Sequence, residues 1–247
     1  MKLKCMNESK FVDALWIKEL FSESHAIAQP FTHFRQSDMF SAASFKTLQR
    51  NFIDDNSIRE ISKPNLSDIS TLRKRPSYFL CPEMIDALYC SDNKVFWLSF
   101  FENYSRSEQE IKLCLLEKFK IIGVDNNYCT DNLSIAFRFV TETLPFSLEP
   151  HMDMPQKIAV GVIYVSNSGE LDRGGTHLYC KTGETQFTEN TCYDFVENSL
   201  VLIPRVSDSW HGGKWKGEGE RKTLHIYFFN HPKKDKEYLR NKFSFFL

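Results

Sequence analysis

Pro150-His-Met-Asp-Met-Pro155 stands between two runs, residues 133–141 and 157–166, in which apolar and polar side chains alternate. Alternation with a period of two marks strands, whose successive side chains face opposite ways. Residues two apart then project together, so His151 presents an imidazole nitrogen and Asp153 a carboxylate oxygen on one face. Further runs of strand character follow at 176–181, 199–204, 209–216 and 221–230, with Gly-, Asn- or Asp-bearing turns between them. Short strands in such succession point to a sandwich or a jelly roll.

Two later segments, Ser209-Trp-His-Gly-Gly213 and Glu220-Arg-Lys-Thr-Leu-His225, extend the set. His211 arrives on a later strand as a third ligating side chain. Two histidines and one carboxylate on one face of an iron leave the other face open, the arrangement of a facial triad. The glycines of Lys216-Gly-Glu-Gly-Glu220 make a turn, so Arg221 is expected to start the returning strand of a hairpin. It would then lie a few residues along the sheet from His211, at about 3.3 Å per residue. That offset suits a five-carbon diacid, whose far carboxylate an arginine can take in a bidentate, charge-assisted pair. Thr223 shares the face of Arg221 and can add a hydroxyl bond. Leu224, Ile226 and Phe228 make the opposite, apolar face, as a wall packed on outer helices should. Tyr164, on the face of Ile158, Val160 and Val162, can offer its phenol to the same carboxylate.

Taken singly these signals are weak. An HxD turns up by chance in many chains, a lone histidine is more often structural, and an arginine at a hairpin is more often a surface charge. Their joint order carries the weight. His177 and His225 are expected to line or buttress the site rather than ligate metal. Arg138 is the one charge in the run 133–141. It either binds an acidic part of a substrate or makes an ion pair at the barrel rim, the commoner arrangement. Trp210 and Trp215 are most simply packing residues, the Arg73-Lys-Arg run a solvated loop, and Cys180 and Cys192 have no evident role.

Up to about residue 122 the apolar spacing is helical instead. Phe11, Leu15, Trp16 and Leu20 recur at three-to-four spacing. Ser41 is a candidate cap for a helix carrying Phe45, Leu48 and Phe52, and Pro82 fits the first turn of a short helix through Met84 and Leu88. Asp92 is a candidate cap for a helix holding Val95, Leu98 and Phe101, and Ile111, Leu115, Leu116 and Phe119 form a further stripe. Each stripe reads as core packing. Residues 54–77 are polar, contain Pro64 and Pro76, and read as a long loop.

The chain has 247 residues and a net charge of −1, which announces neither a nucleic-acid nor a membrane-surface partner. Its seven cysteines are odd in number and scattered, without CxxC spacing, which fits a reduced, cytoplasmic setting. The N-terminus lacks the apolar run of a signal peptide, and no stretch approaches the roughly 20 apolar residues of a membrane span. The expected organisation is a single catalytic domain, 1–247. Residues 1–130 form a mainly helical N-terminal layer, 131–230 the β core, and 231–247 a C-terminal helix or tail.

His151 and Asp153, the distal His211 and Arg221 ten residues on resemble the iron- and 2-oxoglutarate-dependent dioxygenase superfamily, most nearly its prolyl-4-hydroxylase-like branch. Tyr164, the Gly174-Gly175-Thr176 strand entry, the strand Asn198-Ser-Leu-Val-Leu-Ile-Pro204 and the opening Pro30-Phe-Thr-His33 are similar to that branch too. The resemblance implies an α+β chain with a mainly β core, a double-stranded β-helix of the jelly-roll, cupin-like type. It implies Fe(II) on His151, Asp153 and His211, and 2-oxoglutarate anchored by Arg221 with help from Tyr164 and Thr223. O2 would be consumed as 2-oxoglutarate becomes succinate and CO2 and a C–H bond is hydroxylated, with ascorbate as a supporting reductant. The ligand aspartate speaks against the halogenating members. Tyr227 stands where the nucleic-acid repair branch carries a further arginine.

Desaturation, epimerisation and ring formation use the same centre. The substrate class is open between amino acid, peptide, sugar and polyketide-like metabolite, with a small molecule favoured because no protein-binding module is evident. Residues 54–77 and 166–173 are expected to close over it. The alternative from another class is a cupin-like metal- or ligand-binding barrel without turnover, which would need neither Arg221 nor Tyr164.

Overall fold

In a computed structural model of the chain, the described residues are 14–22, 25–54, 56–57, 77–124, 129–168, 174–216 and 219–230. A 3-10 turn at Leu15–Glu19 is followed by β1 (Ala26–Ile27), β2 (His33–Gln36), α1 (Ala42–Arg50), β3 (Ser77–Phe79), α2 (Pro82–Ala87) and α3 (Ser91–Ile121). Eight strands follow: β4 (Leu133–Glu142), β5 (Phe146–His151), β6 (Lys157–Asn167), β7 (Thr176–Lys181), β8 (Phe187–Tyr193), β9 (Ser199–Pro204), β10 (His211–Trp215) and β11 (Arg221–Asn230).

These strands make two antiparallel sheets, one in the order β1-β2-β9-β6-β11-β4-β3 and the other β5-β10-β7-β8. From β4 to β11 the chain passes back and forth between the sheets, the path of a jelly roll. Apolar side chains of both, among them Val160, Val201, Ile203 and Tyr227 from the large sheet and Leu178 and Tyr193 from the small one, fill the space between. The other face of the large sheet is apolar as well. Phe139, Leu224, Ile226 and Phe228 on that side join Leu48, Trp97, Phe100 and Phe119 of the helices in a second, larger core. Phe228 meets Phe119 and Phe21 edge-on at 6.0 and 5.6 Å. A sheet buried on both faces needs apolar residues at every position, which is why β9 reads Ser-Leu-Val-Leu-Ile-Pro without alternation and is buried throughout.

The expected helical start is met in part, because β1, β2 and β3 from the same region extend the large sheet. α1 is capped by Ser41, whose hydroxyl accepts from the Ser44 amide at 3.3 Å. Residues 91–121 form one helix, where the sequence suggested two stripes, and the buried side is Trp97, Phe100, Tyr104, Ile111, Leu115 and Phe119. Val95 and Leu98, expected in the core, are exposed. The stripe through Trp97 and Phe100 buries two large rings in their place. Residues 231–247, most of 54–77, 169–173 and the Arg73-Lys-Arg run lie outside the described residues. Among the described residues no helix is long and apolar enough to cross a membrane.

Candidate active site

His151 and His211 are cross-strand partners at the join of β5 and β10, with ring centroids 4.5 Å apart. Each ring is turned by its own backbone. His151 Nδ1 lies 3.0 Å from the Glu149 carbonyl and His211 Nδ1 3.0 Å from the Ser209 carbonyl. A carbonyl only accepts, so both Nδ1 atoms carry a hydrogen, which in a neutral ring leaves the lone pair on Nε2. Burial lowers the pKa of His211 by more than Asp153 and the Ser209 carbonyl raise it, so the ring is neutral and able to ligate near pH 7.

Asp153 lies just past the end of β5, not within a strand as the HxD alternation suggested. Its backbone carbonyl accepts from Arg205 Nε at 2.9 Å, which fixes the turn. Its Oδ1 is held by Lys157 Nζ at 2.5 Å, and its Oδ2 is 3.7 Å from His211 Nε2. One donor atom from each of His151, Asp153 and His211 lies within 4.8 Å of the others. Two imidazoles and a carboxylate at that spacing suit a divalent first-row metal such as Fe(II).

The three side chains stand at a cavity of about 280 Å³ whose far wall is the inner face of the large sheet. Arg221 lies on that wall, opposite Glu142 in the register of β11 and β4. The expected β10–β11 hairpin does not form. β11 pairs with β4 and β6, so Arg221 faces the histidines from the other sheet. The guanidinium is buried, with Nε 2.9 Å from Glu142 Oε2, Nη1 donating to the Gly174 carbonyl, and the Phe146 and Phe195 rings 5.1 and 5.2 Å away.

Tyr164 and Thr223 back the same wall and are fully buried. The Tyr164 phenol shares a 2.7 Å hydrogen bond with Thr176 Oγ1. Burial raises its pKa, opposed by Thr176 and by the Arg221 charge. Thr223 Oγ1 is 3.1 Å from His225 Nε2, whose Nδ1 is 3.1 Å from the Tyr227 hydroxyl. Ile158, expected beside Tyr164, packs in the outer core because β6 is irregular near Ala159. His225 lines the cavity. His177 lies on the face of β7 opposite Thr176 and Leu178, with Glu189 Oε2 at 2.7 Å and Cys192 Sγ at 3.5 Å. His33 is buried between the Phe31 carbonyl and the Tyr193 hydroxyl, tying β2 to β8.

Glu142 and Lys157 were missed by sequence reasoning, though each had a signal. Glu142 continues the parity of Ala136, Arg138 and Val140 one step beyond the run that was read, and Lys157 is the first residue of a strand that follows a ligand.

No family model and no curated relative matches the chain. Solved structures do. Dioxygenase for auxin oxidation 1 from Arabidopsis thaliana, in complex with 2-oxoglutarate, is similar with a TM-score of 0.56 at 13% identity, over 90% of each chain. The chain has the fold of that dioxygenase. A Pseudomonas putida prolyl-4-hydroxylase is similar at TM-score 0.48 and 12% identity, covering 87% of this chain and 100% of the other. The dioxygenase for auxin oxidation in rice scores 0.49 at 12% identity, over 93% of this chain and 90% of its own.

Proposed function

We propose that the chain is an Fe(II)- and 2-oxoglutarate-dependent dioxygenase that hydroxylates a C–H bond of a small-molecule substrate with O2, releasing succinate and CO2. In this reading it acts as one catalytic unit related to the prolyl-4-hydroxylase-like branch, its helices bracing the outer face of the large sheet. The observation that carries it is the pair of imidazoles tied back through Nδ1, with one ligating atom from each of His151, Asp153 and His211 converging opposite a buried arginine. A metal-binding barrel without turnover has no need of that arginine. The cytoplasmic setting rests on the odd number and scattered spacing of the seven cysteines.

His151, Asp153 and His211 would hold the iron, and Arg221 would receive the far carboxylate of 2-oxoglutarate. Bound there, iron with its co-substrate supplies the oxidising chemistry. The chain's own part is ligation, orientation and exclusion of water. The Glu149 and Ser209 carbonyls keep both rings in the ligating tautomer without a further side chain. Lys157 pins one oxygen of Asp153 and leaves the other toward His211. Glu142 and the Gly174 carbonyl fix the plane of Arg221, while Tyr164 and Thr223, on the same inner face, would assist it. Apolar Val160, Val162 and Ile203 line the space between.

The test is anaerobic titration of the Fe(II)-loaded protein with 2-oxoglutarate. Growth of the weak visible charge-transfer band is expected, since it requires the co-substrate to chelate the iron. Iron bound without that band would favour the non-catalytic barrel.

A further inference from the structure

The inner face of the large sheet carries more positive charge than the oxygenase reading uses. Three permanent cations reach the cavity: Arg138, Lys157 and Arg221. Lys157 is matched by Asp153 at 2.5 Å and Arg221 by Glu142 at 2.9 Å. Arg138 is the exception. Its Nη1 donates to the Tyr227 hydroxyl at 3.3 Å and its Nη2 to the Ser77 hydroxyl at 2.7 Å, and the Phe79 ring lies 5.5 Å from its central carbon. Among the described residues no carboxylate pairs with it, and its buried Nε has no hydrogen-bond partner. Among the described residues, the ion pair at the barrel rim that the sequence favoured is not found.

A guanidinium stays charged at any physiological pH, so half-burying it against two hydroxyls and a ring, without a carboxylate, is costly. Register shows where the charge sits. Arg138 is opposite His225 on β11 and next to Phe79 on β3, on the same face as Val140 and Glu142. Fe(II) would add two positive charges and 2-oxoglutarate two negative ones, so the loaded site keeps the same surplus of one. A single positive charge on a planar, two-pronged donor suits a monoanion of matching shape.

We infer that Arg138 binds a carboxylate of the substrate, and that the substrate is a small monocarboxylic acid whose apolar body lies along Val140, Val160, Val162 and Ile203. This rests on the dioxygenase reading for its chemistry and on the cavity alone for its binding. Tyr227 and Ser77 hold the guanidinium in place and are positioning residues.

The probes are phenylacetate and hexanoate, each beside its neutral primary amide, titrated calorimetrically into the full chain with 2-oxoglutarate saturating. The acids are expected to bind at least about tenfold tighter than their amides, as a charge-assisted pair provides. Arg138→Gln should abolish that preference, and Arg138→Lys, which keeps the charge but loses the fork, should retain part of it. Where Arg138→Gln fails to fold by circular dichroism, Arg138→Lys carries the comparison. Equal binding of acid and amide by the unaltered protein overturns the inference. So does a preference undiminished in Arg138→Gln, or one that disappears only in Arg221→Gln. The anaerobic titration separates the two proposals. A charge-transfer band without acid preference removes the Arg138 assignment alone. An acid preference lost in Arg138→Gln, without the band, keeps that assignment and removes the dioxygenase reading.

Discussion

Arg221 and Glu142 are both buried, and each keeps the other's charge compensated inside the barrel. Arg221→Met should therefore do two separable things. It should weaken 2-oxoglutarate binding by about a hundredfold while sparing iron, because a buried charge pair with the ligand is lost. It should also cost about 3–5 kcal/mol of stability, because Glu142 loses its guanidinium. Adding Glu142→Gln should restore much of the stability and none of the binding, a cycle read by urea unfolding and by calorimetry. At the proposed metal site, Asp153→Ala should abolish Fe(II) binding and turnover together, as measured by metal analysis after desalting. Residue types were legible here before any fold was known. His151, Asp153, His211 and Arg221 stand out by order and spacing, whereas Glu142 is a carboxylate at a strand end until its partner is seen.

Strand contacts hold the two histidines together, and one glycine sets how closely. A Cβ on Gly212 would sit 2.4 Å from the Leu148 carbonyl oxygen, while one on Gly213 would meet nothing closer than the Phe146 ring at 3.4 Å. Gly212→Ala is thus expected to push β5 from β10, costing about 1–3 kcal/mol and weakening Fe(II) binding by parting His151 from His211. Gly213→Ala should cost under about 1 kcal/mol by thermal unfolding, since an ordinary contact can relax. On α3, Trp97→Ala should cost about 3–5 kcal/mol, and Val95→Ser on the exposed side under about 0.5 kcal/mol. Short runs of strand-forming residues bounded by turn residues mark β7, β9 and β11, so their bounds follow from sequence. β5, whose alternation is limited to Phe146 and Leu148, and β8, with Thr188, Glu189 and Asn190 exposed, did not, because neither carries an apolar run long enough to read.

Across the molecule, Asp54 and Lys222 tie the segment after α1 to the last strand at 2.8 Å, with Ser57 and Glu220 as further partners. Burial alone would raise the Asp54 carboxyl, but the bonds from Lys222, Ser57 and the Asn56 amide hold it below its ordinary 3.8. Burial likewise opposes the Lys222 charge, yet Asp54 and Glu220 hold it above 10.5. A depressed acid stabilises above its unfolded pKa and loses that contribution as pH falls through the folded value. A raised base stabilises below its unfolded pKa and loses it as pH rises through the folded value. The pair should therefore contribute fully between about pH 4 and 10. Asp54→Asn should cost about 1–3 kcal/mol at pH 7 and nearly nothing near pH 2, by denaturant melts at both. Sequence by itself determined the candidate ligand set, the candidate diacid clamp and the β character of residues 133–230, since each rests on residue type and local period. Tertiary structure alone decided that Arg221 faces the histidines from the opposite sheet, that Glu142 shares its charge, and that Arg138 turns inward with no carboxylate partner among the described residues. Those depend on which strands pair, and strand pairing is set by the burial of both faces of the large sheet, a property no single segment carries.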